Sequence, residues 1–481
     1  MFKKSLTIGL IALWLLSWPL MDNALAQETA PAAAAAVAKS PIDTGDTAWM
    51  LISSALVLLM TPGLAFFYGG LVRSRNVLNT MMMSLVMMGL IGVTWTLWGY
   101  SLAFDVHDVS TSQPFGKGIE GFIGGIDWMF LNGVAADKVD PIGYAPTIPH
   151  QVFMVYQMMF AIITPALISG AIVERVTFKT YFWFVLLWST FIYSPLAHWV
   201  WGKGWLGAIG ALDFAGGTVV HISSGVSAVV AAWVIGPRKD FQNNPHTPHN
   251  VPYVLLGIGL LWFGWFGFNG GSALASGSLA TVAFVTTMIA TAAGGLTWTI
   301  LEWVLRGKPT AVGIASGFLA GLVGITPAAG YVLPIGALLI GSITSVCCFF
   351  AVSLRVKLGF DDSLDTFPIH GVGGTVGAIL TGVFATKAVN DAGNNGLFAG
   401  NPGQVVTQFI GVAATYVFAA VGTFVILKLL AQFMELRVAP SAEDQGLDIG
   451  QHGEEAYGED FAGGFSSFES GSPFAPKKVG S

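Results

Sequence analysis

The chain has 481 residues, of which 54% are hydrophobic and 10% charged, with a net charge of −6. Soluble domains carry roughly 25% charged residues, so this composition excludes an ordinary globular enzyme and points to a protein solvated by lipid. The acids collect in the C-terminal tail and one loop, and the 61 glycines suit helices that approach each other closely in a bilayer.

Taken in chain order, the first segment reads as a secretory signal over residues 1–26. Lys3 and Lys4 precede an apolar run from Leu6 to Leu20, and Ala24-Leu25-Ala26 supplies a small-x-small cleavage site. The alternative, a short first membrane helix, is opposed by Pro19, which breaks the run. Residues 27–45 form an alanine-rich periplasmic linker, so the mature chain is expected to begin outside the cytoplasm.

Eleven apolar stretches follow. They lie near 47–71, 77–104, 150–173, 180–199, 214–235, 252–271, 278–301, 310–327, 330–354, 366–386 and 403–433, and about 20 residues suffice to cross the hydrocarbon core. No Asp, Glu, Lys or Arg occurs between Asp240 and Glu302, nor between Lys308 and Arg355. Backbone groups in lipid must bond internally and no barrel-like alternation is visible, so these runs are predicted helices. The adjacent Cys347 and Cys348 lie in one such run, where they suit packing better than redox chemistry. The membrane domain spans 46–436, and 437–481 form a tail expected to be disordered beyond 457.

Basic residues orient the bundle. Arg73 and Arg75, Arg175 and Lys179, Arg238 and Lys239, Arg306 and Lys308, and Arg355 and Lys357 fall in every second connection. The positive-inside rule makes those connections cytoplasmic, placing the N-terminus outside and, with eleven spans, the C-terminus inside. The fold class is thus an all-α integral membrane protein: two inverted five-helix repeats plus one helix. Inverted repeats place substrate paths at the interface between units. Asp213 precedes His221 in the fifth span and Asp365 precedes His370 in the tenth, and both histidines lead into runs of small residues.

Of eight histidines, only His221 and His370 fall well inside apolar stretches; His198 is expected where the fourth span meets water. An ionisable group at membrane depth is a functional candidate, although a hydrogen-bonded structural histidine is the competing reading. Neutral imidazole can pass a proton along without holding a charge in lipid. Aromatic residues form a second cluster: Trp201, Tyr156 with Phe160, and Trp265, Phe268 and Ser272. Interfacial anchoring and a cage for a small cation both fit them, and spacing alone does not choose. Asp213 and Asp365 are expected to cap their helices.

Several runs together resemble the ammonium transporter (Amt/Mep/Rh) family in its bacterial Amt form. They include Thr61-Pro-Gly-Leu-Ala-Phe-Phe-Tyr-Gly-Gly70, Ala211-Leu-Asp-Phe-Ala-Gly-Gly-Thr-Val-Val-His221, Gly264-Trp-Phe-Gly-Phe-Asn269, Gly324-Ile-Thr-Pro327 and His370-Gly-Val-Gly-Gly374. The resemblance runs from about residue 45 to the tail segment ending at Tyr457. It implies a homotrimer in the bacterial inner membrane with one pore per subunit. It further implies ammonium recruitment at Trp201, Ser272 and Tyr156, a gate of Phe160 over Phe268, and pore-lining His221 and His370. Asp213, Trp265 and Thr326 would support the site. Tyr156 departs from the family's usual Phe. A trimeric PII-class signalling protein is the implied partner of the tail.

These readings make the chain a transporter or channel for ammonium and ammonia, with methylammonium as an analogue. It would be no enzyme, with no catalytic residues, cofactor or metal and no nucleic-acid partner. An ammonium sensor signalling through its tail is one rival. A redox protein ligating metal or haem through histidine is another, although two inward histidines are few ligands for such a site.

Overall fold

The computed structural model describes residues 41–106, 118–239, 241 and 247–457. The expected signal segment, most of the linker and the tail beyond 457 lie outside them.

Each of the eleven predicted stretches holds a helix: α1 Thr44–Leu71, α2 Ser74–Phe104, α3 His150–Ile172 and α4 Phe178–Trp188 extended to Val200, then α5 Gly217–Ile235 and α6 Val251–Ala273. They continue with α7 Ser278–Arg306, α8 Ala311–Ile325, α9 Pro334–Lys357, α10 Phe367–Phe384 and α11 Gly403–Leu430. Nine of these, among the described residues, are long and apolar enough to cross a membrane. Of the other two, α8 is shorter, and α4 is broken by a π-helical turn at Ser189–Tyr193. No strand occurs among the described residues; there is one isolated antiparallel bridge between Val176 and Arg437.

α3 is buried almost throughout, whereas α7, α9 and α11 keep rows of large apolar side chains exposed, such as Leu296, Leu339 and Val417. Such rows fit a lipid-facing perimeter, because lipid tails impose no penalty on apolar exposure.

Two elements give the bundle its centre. α5 opens with a π-helical segment, Gly217–Ile222, that contains His221 and continues as a 13-residue α-helix. α10 opens with another, Phe367–Gly371, that contains His370 and continues as a 13-residue α-helix. Single-turn π segments are rare and concentrate at functional positions. Each histidine is followed four residues later by a glycine at which the helices cross. A Cβ on Gly225 would lie 2.2 Å from Gly371 N, and one on Gly374 would lie 3.0 Å from His221 Cβ. The crossing therefore needs glycine at 225 and packs tightly at Gly374, and it brings the histidines face to face.

Both segments are capped by a carboxylate eight residues before the histidine. Asp213 accepts from the backbone N–H groups of Gly216, Gly217, Thr218 and Val219, and from the Thr218 hydroxyl. Gly216 makes that wrap possible, with φ +121°. On α10 the cap is Asp362, which accepts from Thr366 N at 3.0 Å and Phe367 N at 2.7 Å. The expectation that Asp365 caps this helix is therefore corrected. Asp365 has φ +58° and pairs with Arg355 Nε at 2.6 Å. His198 is corrected as well. It is buried, with Nδ1 3.0 Å from Ala103 O and Nε2 2.7 Å from Glu120 O, so it does not meet water.

The end of the bundle that carries the basic connections is held by a buried ionic cluster. Glu174 accepts from Arg73 Nε at 3.0 Å, Asn76 Nδ2 at 2.9 Å and Arg238 Nη1 at 2.8 Å, while Asp361 pairs with Arg238 Nη2 at 2.7 Å. Burial would raise the Glu174 carboxyl, but Arg238 and Arg73 outweigh it and hold the group at about 2. The tail crosses the same end through α12, Pro440–Gln445, and a π turn at Asp448–His452. Asp448 accepts from Asn79 N at 2.8 Å, Leu447 N donates to Asn76 Oδ1 at 2.8 Å, and Arg437 Nε donates to Glu443 Oε1 at 2.6 Å.

Candidate functional site

Two wide cavities, the vestibules, lie on either side of the histidine crossing, with a narrow lumen between them. The vestibule at the Trp201 end has a volume of about 510 Å³ and is lined by Gln157, Phe160, Trp201 and Ser272, among others. The vestibule at the Asp365 end holds about 520 Å³ and reaches Tyr68, Ser316, Thr366 and His370. Between them the lumen offers only about 10 Å³, roughly the space of one water-sized probe. Its walls include Met60, Leu64, Ile163, Leu261, Leu319 and Phe268; among the described residues, His221, His370 and Trp265 are the only lining ones with side-chain nitrogen or oxygen.

Of the expected site residues, Phe160, Trp201 and Ser272 line the vestibule and His221, Trp265, Phe268 and His370 line the lumen, whereas Tyr156, Asp213 and Thr326 line neither. Phe160 lines the Trp201 vestibule and Phe268 lines the lumen; their rings lie 4.4 Å apart, between the two spaces. Trp201 meets Phe160 edge-on at 5.8 Å, and its Nε1–H donates to Asp213 O at 2.9 Å. Asp213 therefore holds Trp201 through its backbone while its carboxylate caps α5.

Tyr156 departs from an open recruitment role, because its hydroxyl is fully buried. That hydroxyl lies 2.9 Å from Gly267 O, 2.8 Å from Phe268 O and 3.1 Å from Ser272 Oγ. Ser272 also donates to Phe268 O at 2.8 Å. Tyr156 thus stitches α3 to the carbonyl end of α6 and fixes Ser272, which itself reaches the vestibule.

The hydrogen-bond network below the gate assigns the protons of the two imidazoles. Thr326 donates its hydroxyl hydrogen to Leu322 O at 2.7 Å and accepts from Trp265 Nε1–H at 2.9 Å. His221 Nε2, at a long 3.4 Å from Thr326 Oγ1, must then be the donor of that pair. That leaves His221 Nδ1 with its lone pair, to accept from His370 Nδ1–H at 3.2 Å. His370 Nε2 is consequently an acceptor, and it has no partner among the described residues. Stacking supports the arrangement: His221 lies 5.4 Å from the Trp265 ring at 20° and 5.3 Å from His370 at 27°.

Asp362, Gly225 and Gly374 were not foreseen as parts of this site. Their signal is in the sequence as spacing, since an acid stands eight residues before each histidine and a glycine four residues after it. No group of three or more His, Cys, Asp or Glu residues suited to hold a metal ion is found among the described residues.

A bundle of long apolar helices around a narrow apolar lumen is the architecture of a multi-pass membrane transporter. Residues 48–457 match the family model described as "Ammonium Transporter Family". The chain is 50% identical over 414 residues to the "Ammonium transporter" of Bacillus subtilis, covering 86% of this chain and 98% of the relative. It is 43% identical to "Ammonium transporter Amt1" of Archaeoglobus fulgidus, covering 86% and 99%. Among solved structures it is similar to Saccharomyces cerevisiae Mep2, with TM-score 0.76, 37% identity and coverage of 83% and 88%. A structure titled "Sensor Amt Protein" aligns with TM-score 0.75 and 29% identity, covering 85% and 98%. The chain belongs to the ammonium transporter family, a transport family rather than an enzyme family.

Proposed function

We propose that the chain takes ammonium at the Trp201 vestibule, strips a proton from it near the phenylalanine gate and conducts ammonia through the histidine lumen. The observation that carries this reading is the lumen itself: about 10 Å³ of apolar space lined by two joined imidazoles. Moving a bare monovalent ion into a dry apolar medium costs tens of kcal/mol in the idealised limit. Ammonium escapes that cost by losing a proton, whereas potassium, close to it in size, has none to lose. Ammonia donates an N–H to His370 Nε2, the acceptor left open by the network.

The proton travels separately along the His221–His370 pair, starting from the opposite tautomer. His221 Nε2 takes it, His221 Nδ1–H passes to His370 Nδ1 and the His370 Nε2 hydrogen leaves toward the Asp365 vestibule. This yields the tautomer the network assigns and makes net transport electrogenic once the pair resets. Replacing both histidines by Ala abolishes ammonium-dependent current while the protein still assembles. Wild-type current from the double variant would sink the proposal.

The setting belongs to the same proposal. Eleven helices cross the inner membrane of a bacterium, with the Trp201 vestibule periplasmic, the basic connections and tail cytoplasmic, and three copies forming the assembly. The tail, docked on the ends of α2 and α4 through Asn76, Asn79 and Phe178, is the contact for a PII-class signalling protein. The sensor reading has one observation behind it, the likeness to a structure titled as a sensor. A sensor binds ammonium without passing charge, so the wild-type current separates the two.

A further inference from the structure

The Trp201 vestibule, proposed above as the entry for a cation, carries a cation of its own. Lys203 is the only charged residue among the described residues that line it, and it pairs with no carboxylate among them. Its backbone adopts φ +64°, in the turn between Gly202 and Gly204. A left-handed conformation strains any residue with a Cβ, and glycine would occupy this position without strain, yet the chain places an exposed lysine there.

The charge is also anchored. Lys203 Nζ lies 5.6 Å from the centre of the Tyr144 ring, a cation–π geometry. Tyr144 is itself rigid: it stacks on Phe153 at 5.2 Å and 4°, and its hydroxyl donates to Phe104 O at 3.0 Å. Asp140 holds the loop beneath by accepting from the backbone N–H groups of Ile142, Tyr144 and Ala145. A strained backbone, an aromatic seat and a three-point loop anchor together fix one positive charge at the mouth, two residues from Trp201.

We infer that Lys203 is an electrostatic determinant of substrate affinity. Its fixed charge weakens cation binding at the Trp201 vestibule, sets the apparent KM for ammonium and makes that KM depend on ionic strength, while leaving the rate through the lumen to the gate and histidines. This inference rests on the transport reading. A unit charge about 10 Å from a bound cation changes affinity about twofold in bulk-water dielectric and about fifteenfold at the lower effective dielectric of a protein surface.

The test measures ammonium half-saturation of the transport current in proteoliposomes holding the full chain as wild type, Lys203→Gln, Lys203→Glu and Lys203→Arg. At low ionic strength the half-saturating concentration falls about twofold in Lys203→Gln and about fivefold or more in Lys203→Glu, and stays at the wild-type value in Lys203→Arg. The differences vanish as choline chloride is raised to about 1 M, where the screening length shrinks to about 3 Å. Maximal current is unchanged throughout. Should Lys203→Glu fail to assemble, Lys203→Gly, whose backbone suits the turn, reads the same quantity. A half-saturation that ignores the charge at position 203, or a shift that survives high salt, overturns the inference. Absence of ammonium current from the wild type contradicts the transport reading instead.

Discussion

His221 and His370 face each other with their Nδ1 atoms 3.2 Å apart, and the glycines four residues beyond them hold the pair in place. Because a Cβ at Gly225 would fall 2.2 Å from backbone nitrogen, no rotamer change relieves it. Gly225→Ala is expected to push α5 from α10, costing about 1–3 kcal/mol by overpacking and separating the imidazoles. Gly374→Ala, whose nearest contacts are at 3.0 Å, is milder. Thermal unfolding of the purified protein ranks the two, with Gly225→Ala melting lower. The reverse order would show that the crossing does not set the pair.

Most of the bundle was legible in the sequence because lipid tolerates so few charges. The charge-free run between Asp240 and Glu302 leaves α6 and most of α7 no other reading. Details set by local geometry were harder. Asp365 is the acid nearest to His370 in sequence, but the turn before α10 aims Asp362 at the free backbone N–H groups and sends Asp365 to Arg355. His198 read as a boundary residue because it follows an apolar span, yet Ala103 and Glu120 carbonyls enclose it. Those partners come from distant segments, and hydropathy carries no trace of them.

The two caps make a paired prediction. Asp213 serves four backbone N–H groups and Asp362 serves two. Both Asp→Asn variants lose charge-assisted bonds of about 1.5–3 kcal/mol each in favourable cases, and Asp213→Asn loses more. Denaturation midpoints of the two variants check the ranking. Equal midpoints would contradict the assigned bonding.

Tyr156→Phe removes the hydroxyl that reaches Gly267 O, Phe268 O and Ser272. Leaving a buried carbonyl unpaired costs about 1–3 kcal/mol, and Ser272 loses one of its two tethers. Methylammonium half-saturation in Tyr156→Phe is expected to rise severalfold with maximal transport little changed. A fall in maximal transport at constant half-saturation would place Tyr156 on the conduction path instead.

Glu174 gives the basic end of the bundle an acid limit. Its folded value of about 2 lies below the ordinary 4.5, so its contribution to stability is present above pH 4.5 and is lost as pH falls toward 2. Glu174→Gln leaves Arg73 without its carboxylate and Arg238 with Asp361 alone, and breaking a buried pair from one side costs about 3–5 kcal/mol. Stability measured from pH 7 down to pH 3 should therefore fall more steeply in wild type than in Glu174→Gln. Parallel curves would exclude Glu174 as a source of acid sensitivity.

The central claim is that the lumen admits only what can shed its charge. Solid-supported-membrane current from proteoliposomes of the wild-type chain, pulsed in turn with ammonium, methylammonium and potassium, tests it most directly. The account predicts current from ammonium, a smaller current from methylammonium and none from potassium at matched concentration. A potassium current comparable to that of ammonium would show that the bare ion crosses, and selection by deprotonation would be wrong.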